Sequence, residues 1–255
     1  MMIDLHCHLL PGIDDGPRSV AGALAIAERA AADGIEIVAA TPHFRADHPA
    51  VQPSELAERC DAIQAEIDTA SISLRVVPGA EVDLVAGADA TDDQLRLATY
   101  GQKGNDLLVE TPYGPLTPGF EQMLFDRFIA RGFRVLLAHP ERNPTFQEEP
   151  TRLLALVRRG VLLQVTAGSL IGSRRSRTRR LARALINEGV AHVLASDAHR
   201  APTRVRLSVG AAEASRLDRA RAPWMVTEAP AAVLAGEALP PVPRRGRRRL
   251  RETRR

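Results

Sequence analysis

MIDLHCHLLPGIDDG, residues 2–16, is the stretch on which the reading of this chain turns. Met2–His6 is a short, mostly apolar run that breaks into a turn at Pro11-Gly12, as a buried strand followed by a loop should. The stretch lacks a basic opening and a small-residue cleavage site, so it reads as the start of a fold and not as a signal peptide. Its strand ends in His-Cys-His. Residues two apart on a strand point to the same side, so His6 and His8 can grip one metal ion while Cys7 turns away from it. An HxH pair alone is a weak sign, and its weight depends on what the other strands deliver.

Six further runs have the same apolar character: residues 35–41, 74–78, 106–110, 134–138, 161–166 and 190–196. Helical patterns lie between them at 19–33, 54–69, 118–131, 150–159 and roughly 176–188, with more after Thr203. Ser19 and Ser54 stand where N-caps belong, and Gly34, Gly132, Gly160 and Gly189 where helices or turns must end in the left-handed region. Strands alternating with helices predict a parallel sheet, and near-continuous apolar runs predict strands buried on both faces. No GxGxxG follows the first strand, which argues against a dinucleotide-binding fold. The expected fold is α/β, a closed or distorted (β/α) barrel with its site at the C-terminal strand ends.

Those ends are where polar residues collect. The second strand ends in Thr41-Pro42-His43 and the third runs into Gly79-Ala80-Glu81. The fourth ends in Glu110, the fifth in Ala138-His139-Pro140-Glu141-Arg142, and the seventh in Ser196-Asp197-Ala198-His199. Asp197 and His199 repeat the spacing of His6 and His8. Five of the seven histidines fall at strand ends, each beside a turn. His48, in a polar loop, and His192, at the opposite end of its strand, read as structural. Imidazole and carboxylate together suit Mn²⁺, Fe²⁺ or Zn²⁺, and the lack of thiolates argues against a structural zinc site.

In sequence these residues resemble the PHP (polymerase and histidinol phosphatase) superfamily, and within it the bacterial manganese-dependent protein-tyrosine phosphatases of the CpsB/YwqE type. The motifs that carry the resemblance are IDLHCHLLPGIDDG (3–16), ATPHF (40–44), PGAEV (78–82), VETP (109–112), AHPERN (138–143), QVTAGSLIG (164–172) and SDAHR (196–200). The resemblance implies a distorted (β/α)7 barrel and about three Mn²⁺ ions per chain. It implies one ion on His6, His8, Glu81 and Asp197, a second on Glu110 and His139 with Glu81 bridging, and a third on Asp15, His43 and His199. Asp14 could exchange with Asp15. Arg142 and Arg204 match the arginines that such phosphatases set near the phosphate. The implied activity is hydrolysis of phosphotyrosine without a phosphoenzyme, on a tyrosine autokinase of capsule or exopolysaccharide synthesis. The alternative within the superfamily is a small-molecule phosphatase, such as one for histidinol phosphate, or a nuclease. Asp4 would orient a ligand histidine. The cysteine-phosphatase route fails on spacing, because the sixth residue after Cys7 is Ile13 and after Cys60 is Glu66, not Arg.

With two cysteines the chain has no disulfide framework, and a reducing cytoplasm is expected. No apolar run approaches the roughly 18 residues of a membrane span. The charge is divided unevenly: residues 240–255 carry eight Arg and one Glu, and +7 there against +3 for the whole chain leaves about −4 for residues 1–239. The chain is accordingly read as a catalytic domain, 1–239, and a basic tail, 240–255. The tail reads first as a solvated end. Its charge also suits nucleic acid, anionic lipid or an acidic partner. Truncation after Pro240 should leave kcat on a small aryl phosphate unchanged. Steady-state kinetics of the two forms check this, and a large loss on truncation would place the tail at the site.

Overall fold

The computed structural model describes residues 1–201 and 206–243. Nine strands lie among them: β1 (Met2–Cys7), β2 (Ile35–Ala40), β3 (His43–Phe44), β4 (Arg75–Pro78), β5 (Glu81–Asp83), β6 (Asp106–Glu110), β7 (Arg134–Leu137), β8 (Leu162–Thr166) and β9 (Val193–Ala195). All pairings between them are parallel. They make two sheets, one in the order β1-β2-β4 and one in the order β3-β5-β6-β7-β8-β9. The α/β class and parallel pairing are as expected; a closed sheet is not present among the described residues.

The break has a chemical cause. Pro42 separates β2 from β3, and Pro78 ends β4 two residues before β5. Proline has no N–H to give to a ladder. Single backbone bonds cross the gap instead: Thr41 N–H to Cys7 O, Gly79 N–H to Ala40 O and Glu81 N–H to Pro42 O. At the other margin an isolated parallel bridge joins Cys7 to Ala198, and Asp197 N–H donates to His6 O at 2.8 Å. Beyond each proline the chain resumes in a two- or three-residue strand carrying a site residue, His43 or Glu81. These short strands were not separable from their predecessors in the sequence.

Helices follow the strands as expected. Val20–Ala32 is capped by Ser19, whose side chain accepts from Gly22 N–H, and Arg177–Asn187 is capped by Ser176. Ser54 is not a cap; it lies inside a 3-10 turn, Pro53–Glu55, that leads into the helix Leu56–Thr69. Gly34, Gly132, Gly160 and Gly189 all have positive φ. Four short helices went unread, Leu84–Asp89, Asp92–Ala98, Pro144–Glu148 and Ala167–Ile171, each under eight residues and too brief for a periodicity to show.

Two apolar clusters hold the strands. The larger packs helices against them, and the smaller contains Leu108, Leu136, Ala138, Leu162, Val193 and Ala195. By strand alternation Leu108 shares a face with Glu110, and Leu162 with Gln164. The smaller cluster therefore floors the polar strand ends. No helix among the described residues is long and apolar enough to cross a membrane.

His192 clips the far end of this floor. Its N–H donates to Leu163 O, and its Nδ1 accepts from Leu163 N–H at 3.1 Å, so the ring is held neutral as an acceptor. Burial, with Arg221 nearby, pulls the imidazole down from 6.5 to about 4. The unfolded chain takes up this proton near pH 6.5 and the folded chain only near 4. Stability from this group is thus complete above 6.5 and falls as pH drops towards 4, by roughly 2–3 kcal/mol. Urea melts of wild type and His192→Gln between pH 7 and 4 should show a shallower acid loss in the variant; parallel slopes would refute the assignment.

Candidate metal centre

The strand ends meet in one cluster of imidazoles and carboxylates. Glu81 is at its middle, with its side chain fully buried. Its Oε2 lies 3.2 Å from His6 Nε2, 3.4 Å from His8 Nε2 and 3.0 Å from His43 Nδ1, and its Oε1 is 2.9 Å from His139 Nε2. Glu110 flanks it, 3.7 Å from both His43 and His139. Asp197 Oδ1 closes the other side, 3.4 Å from His6 Nε2 and 3.6 Å from His199 Nδ1. Asp15, half exposed, reaches 3.2 Å from His199 Nε2 and 3.6 Å from His43 Nε2.

Two residues that aim side chains into the cluster leave ordinary backbone space to do so. His139 has φ 30° and Asp197 φ 54°, the left-handed region that L-residues occupy at a cost. The cost is offset locally. His139 N–H donates to Gln164 Oε1 at 3.1 Å, and Asp197 N–H donates to His6 O.

The cluster's protonation follows from crowding. Burial works to raise the Glu81 carboxyl, but His6, His139 and His43 overcome that and hold it well below the usual range. Burial would lower His6, yet Glu81 and Asp197 hold it up at about 9. Asp197 is brought down to about 2 against its burial by His6, His139 and Arg142. Burial and the neighbouring Glu81 push Glu110 up to about 8, while burial and His8 pull His199 down to about 4.

The donor set fits divalent cations. His6 Nε2 and His8 Nε2 face each other at 3.2 Å, and both face Glu81 Oε2. Glu81 Oε2 and His43 Nδ1 are buried without a hydrogen bond, although 3.0 Å apart, because their alignment does not allow one. Lone pairs that converge in this way can be satisfied by a cation. Among the described residues four groups have donor atoms mutually within 4.8 Å: His8-Asp15-His43-His199, His6-His8-Glu81, His6-His139-Asp197 and His43-Glu81-Glu110. His43 thus sits with Glu81 and Glu110 as well as with Asp15 and His199, so these groups overlap in their residues.

Other residues hold the cluster in place. Asp14 Oδ2 accepts from His8 Nδ1 at 2.7 Å, while Asp14 also accepts from Gly16 and His43 N–H. Geometry thereby divides the adjacent aspartates: Asp14 fixes His8 from behind and Asp15 faces the cluster. Gln164 Oε1 lies 3.1 Å from His6 Nδ1 and does for His6 what Asp14 does for His8. Asp4 does not touch a histidine ring. It accepts from the backbone N–H of Ser196 and His6 and ties β1 to the chain after β9.

Arg142, on a 3-10 turn after His139, lies 2.5 Å from Asp197 Oδ2. Arg204 lies outside the described residues. A cavity of about 440 Å³ opens above the cluster, lined by His43, Glu110, Tyr113, Arg142 and Arg200 among others. The guanidinium of Arg45 sits 4.8 Å over the exposed Tyr113 ring and 3.5 Å from Glu110. His48 stacks on His43 at 5.4 Å and so borders the site.

Arg45, Tyr113 and Gln164 had gone unrecognised as site residues. Only Gln164 left a signal, as the one amide inside an apolar strand, where a buried polar group must find partners. Cys7 contributes no ligand; its thiol faces Ala198 O at 3.6 Å, among core residues.

Geometry alone thus defines an α/β protein whose polar strand ends gather into a cluster that could hold metal ions. The profile described as "Capsular polysaccharide synthesis, CpsB/CapC" matches residues 2–231. The chain belongs to the CpsB/CapC family. It is 32% identical over 203 residues to the tyrosine-protein phosphatase YwqE of Bacillus subtilis, covering 80% of this chain and 79% of that one. It is 22% identical over 211 residues to the tyrosine-protein phosphatase CpsB of Streptococcus pneumoniae, covering 80% and 85%. A solved structure from work on those two proteins, described there as unique metal-dependent tyrosine phosphatases, superposes with a TM-score of 0.82 at 28% identity. It covers 96% of this chain and 100% of that chain.

The thiol environment is open to a direct check. Burial, followed by the charges of Asp4 and Asp197, pushes Cys7 well above the usual thiol range, and burial pushes Cys60 up to about 12. Native protein should resist iodoacetamide at pH 7.5 and take up two labels only in denaturant, by intact mass. Rapid labelling of Cys7 in the folded protein would contradict this environment.

Proposed function

We propose that the chain is a metal-dependent protein-tyrosine phosphatase. The observation that carries the reading is the convergence of four imidazoles on the buried Glu81 beneath an open cavity with Arg142 at its edge. The names of its relatives support the substrate class. The family's link to capsular polysaccharide synthesis supports a bacterial tyrosine autokinase as partner.

Three Mn²⁺ ions are the proposed complement: one on His6, His8, Glu81 and Asp197, one on Glu110 and His139 with Glu81 between, and one on Asp15, His43 and His199. Divalent cations there would lower the pKa of water and neutralise charge on a phosphoryl group. Asp14 and Gln164 keep the Nε2 atoms of His8 and His6 turned inward. The Arg142 guanidinium, now on Asp197, can turn a fork of donors to phosphoryl oxygens, and Arg204 is proposed beside it. A tyrosine leaving group has a pKa of about 10 and needs little help from an acid. We also read the two sheets as one interrupted seven-stranded barrel, counting β2 with β3 and β4 with β5. Residues 1–239 would form the catalytic domain and 240–255 a tail.

Exhaustive EDTA treatment should abolish phosphatase activity, and Mn²⁺ should restore it better than Mg²⁺, which imidazole ligands disfavour. His6→Ala and Asp197→Ala should each lower kcat by about a hundredfold or more with far-ultraviolet dichroism unchanged. Assays on p-nitrophenyl phosphate, a phosphotyrosine peptide and histidinol phosphate decide the substrate class. Preference for histidinol phosphate, or activity that survives chelation, would overturn the proposal.

A further inference from the structure

The catalytic cavity does not end at Arg142. Arg142 and Asp197 also line a second cleft of about 510 Å³, which runs over Thr166, Ser169 and Ile171 to Ser176 and Thr178. Thr166 is buried, and its hydroxyl has no hydrogen-bond partner among the described residues. Ile171, exposed on the wall, offers an apolar contact.

Where the cleft ends, an arginine face begins. Residues 174–183 hold six arginines in ten positions, within a domain otherwise mildly acidic. Arg174, Arg179, Arg180 and Arg183 surround a further hollow of about 580 Å³. Arg177 pairs with Glu148 at 3.1 Å, and Arg183 lies 3.7 Å from Glu213. Among the described residues Arg174, Arg175, Arg179 and Arg180 have no carboxylate partner. Arg179 donates to Leu170 O and Arg180 to Arg175 O, bonds that fix the guanidiniums without neutralising them.

We propose that this face binds acidic or phosphorylated residues flanking the phosphotyrosine of a protein substrate, which reach it along the cleft from Arg142. The inference rests on the phosphatase reading and names the substrate it prefers. From Ser176 to Arg183 the helix advances about 10 Å, the span of roughly three extended residues. Glu148 and Glu213 stand at the margins, where they would repel a long continuous polyanion but leave room for a short acidic segment. A small aryl phosphate fills only the catalytic cavity and gains nothing from the face.

The test uses the full chain with Mn²⁺ and a triple charge reversal at exposed positions, Arg174→Glu, Arg175→Glu and Arg180→Glu. Its counterpart replaces the same three residues with lysine. Three phosphorylated probes are compared: p-nitrophenyl phosphate, a neutral phosphotyrosine peptide, and one of equal length with acidic residues on both sides. Exposed ion pairs contribute about 1.4- to 5-fold each, so the reversal should lower kcat/KM for the acidic peptide about tenfold, through KM. It should also abolish the salt dependence of that rate. The lysine variant should stay within about twofold of wild type, and both other probes should be unaffected by either. An equal fall on the neutral and acidic peptides, or no fall on the acidic one, overturns the proposal. Anisotropy of the labelled acidic peptide gives a second readout that needs no turnover. If wild type hydrolyses no phosphotyrosine, the phosphatase reading fails by itself, and undiminished binding to the reversal variant still refutes the face. Tighter binding of an oligonucleotide of equal charge would assign the face to nucleic acid and end the proposal.

Discussion

Everything at this site depends on one buried carboxylate touching four imidazoles. Glu81 is packed between histidines from β1, the loop after it, β3 and the end of β7. An isolated carboxylate at that depth would cost several kcal/mol in lost hydration. Surrounded by rings that can share a proton or a cation with it, the carboxylate becomes the element that draws the strand ends together. Its own position follows the strand register, which runs on past Pro78: Gly79 N–H donates to Ala40 O, Glu81 N–H donates to Pro42 O, and Glu81 pairs with His43.

The same economy governs the support around it. Strain at His139 and Asp197 is balanced by the hydrogen bonds their N–H groups donate to Gln164 Oε1 and His6 O. Gln164 bonds two histidines of the cluster at once, His6 through its ring and His139 through its backbone. Asp14 likewise bonds His8 and the backbone of His43. Residues so placed hold the donor atoms to one geometry, and so the cluster can keep like charges within a few ångströms of one another.

Charge is arranged at longer range as well. The cluster is rich in carboxylates, and residues 1–239 carry a net negative charge, while arginines collect at the cluster's edge: Arg45, Arg142 and Arg200 around the cavity, then the run at 174–183. A dianionic phosphate ester approaching a bare acidic cleft would be repelled. An arginine rim reverses the local potential outside the cleft without placing cations where the ligands must converge.

How far the residues alone could be read differs from one feature to another. Strand periodicity made β6 legible to its last residue, because Asp106–Glu110 is bounded by turns and buried on both faces. The five site histidines and the carboxylates at Glu81, Glu110 and Asp197 were legible too, since each follows an apolar run at a turn. Order along the chain could not say that His43 would lie near Glu110 as well as near Asp15. Nor could it say that Asp4 would bind backbone, or that Arg45 would lie over Tyr113. Those are distances between residues far apart in sequence, and they depend on strand register and on how two prolines divide one sheet into two. Sequence by itself determined which chemistry this protein carries and at which end of its strands. Only the tertiary structure decided which atoms meet, because convergence is a property of packing and not of order along the chain.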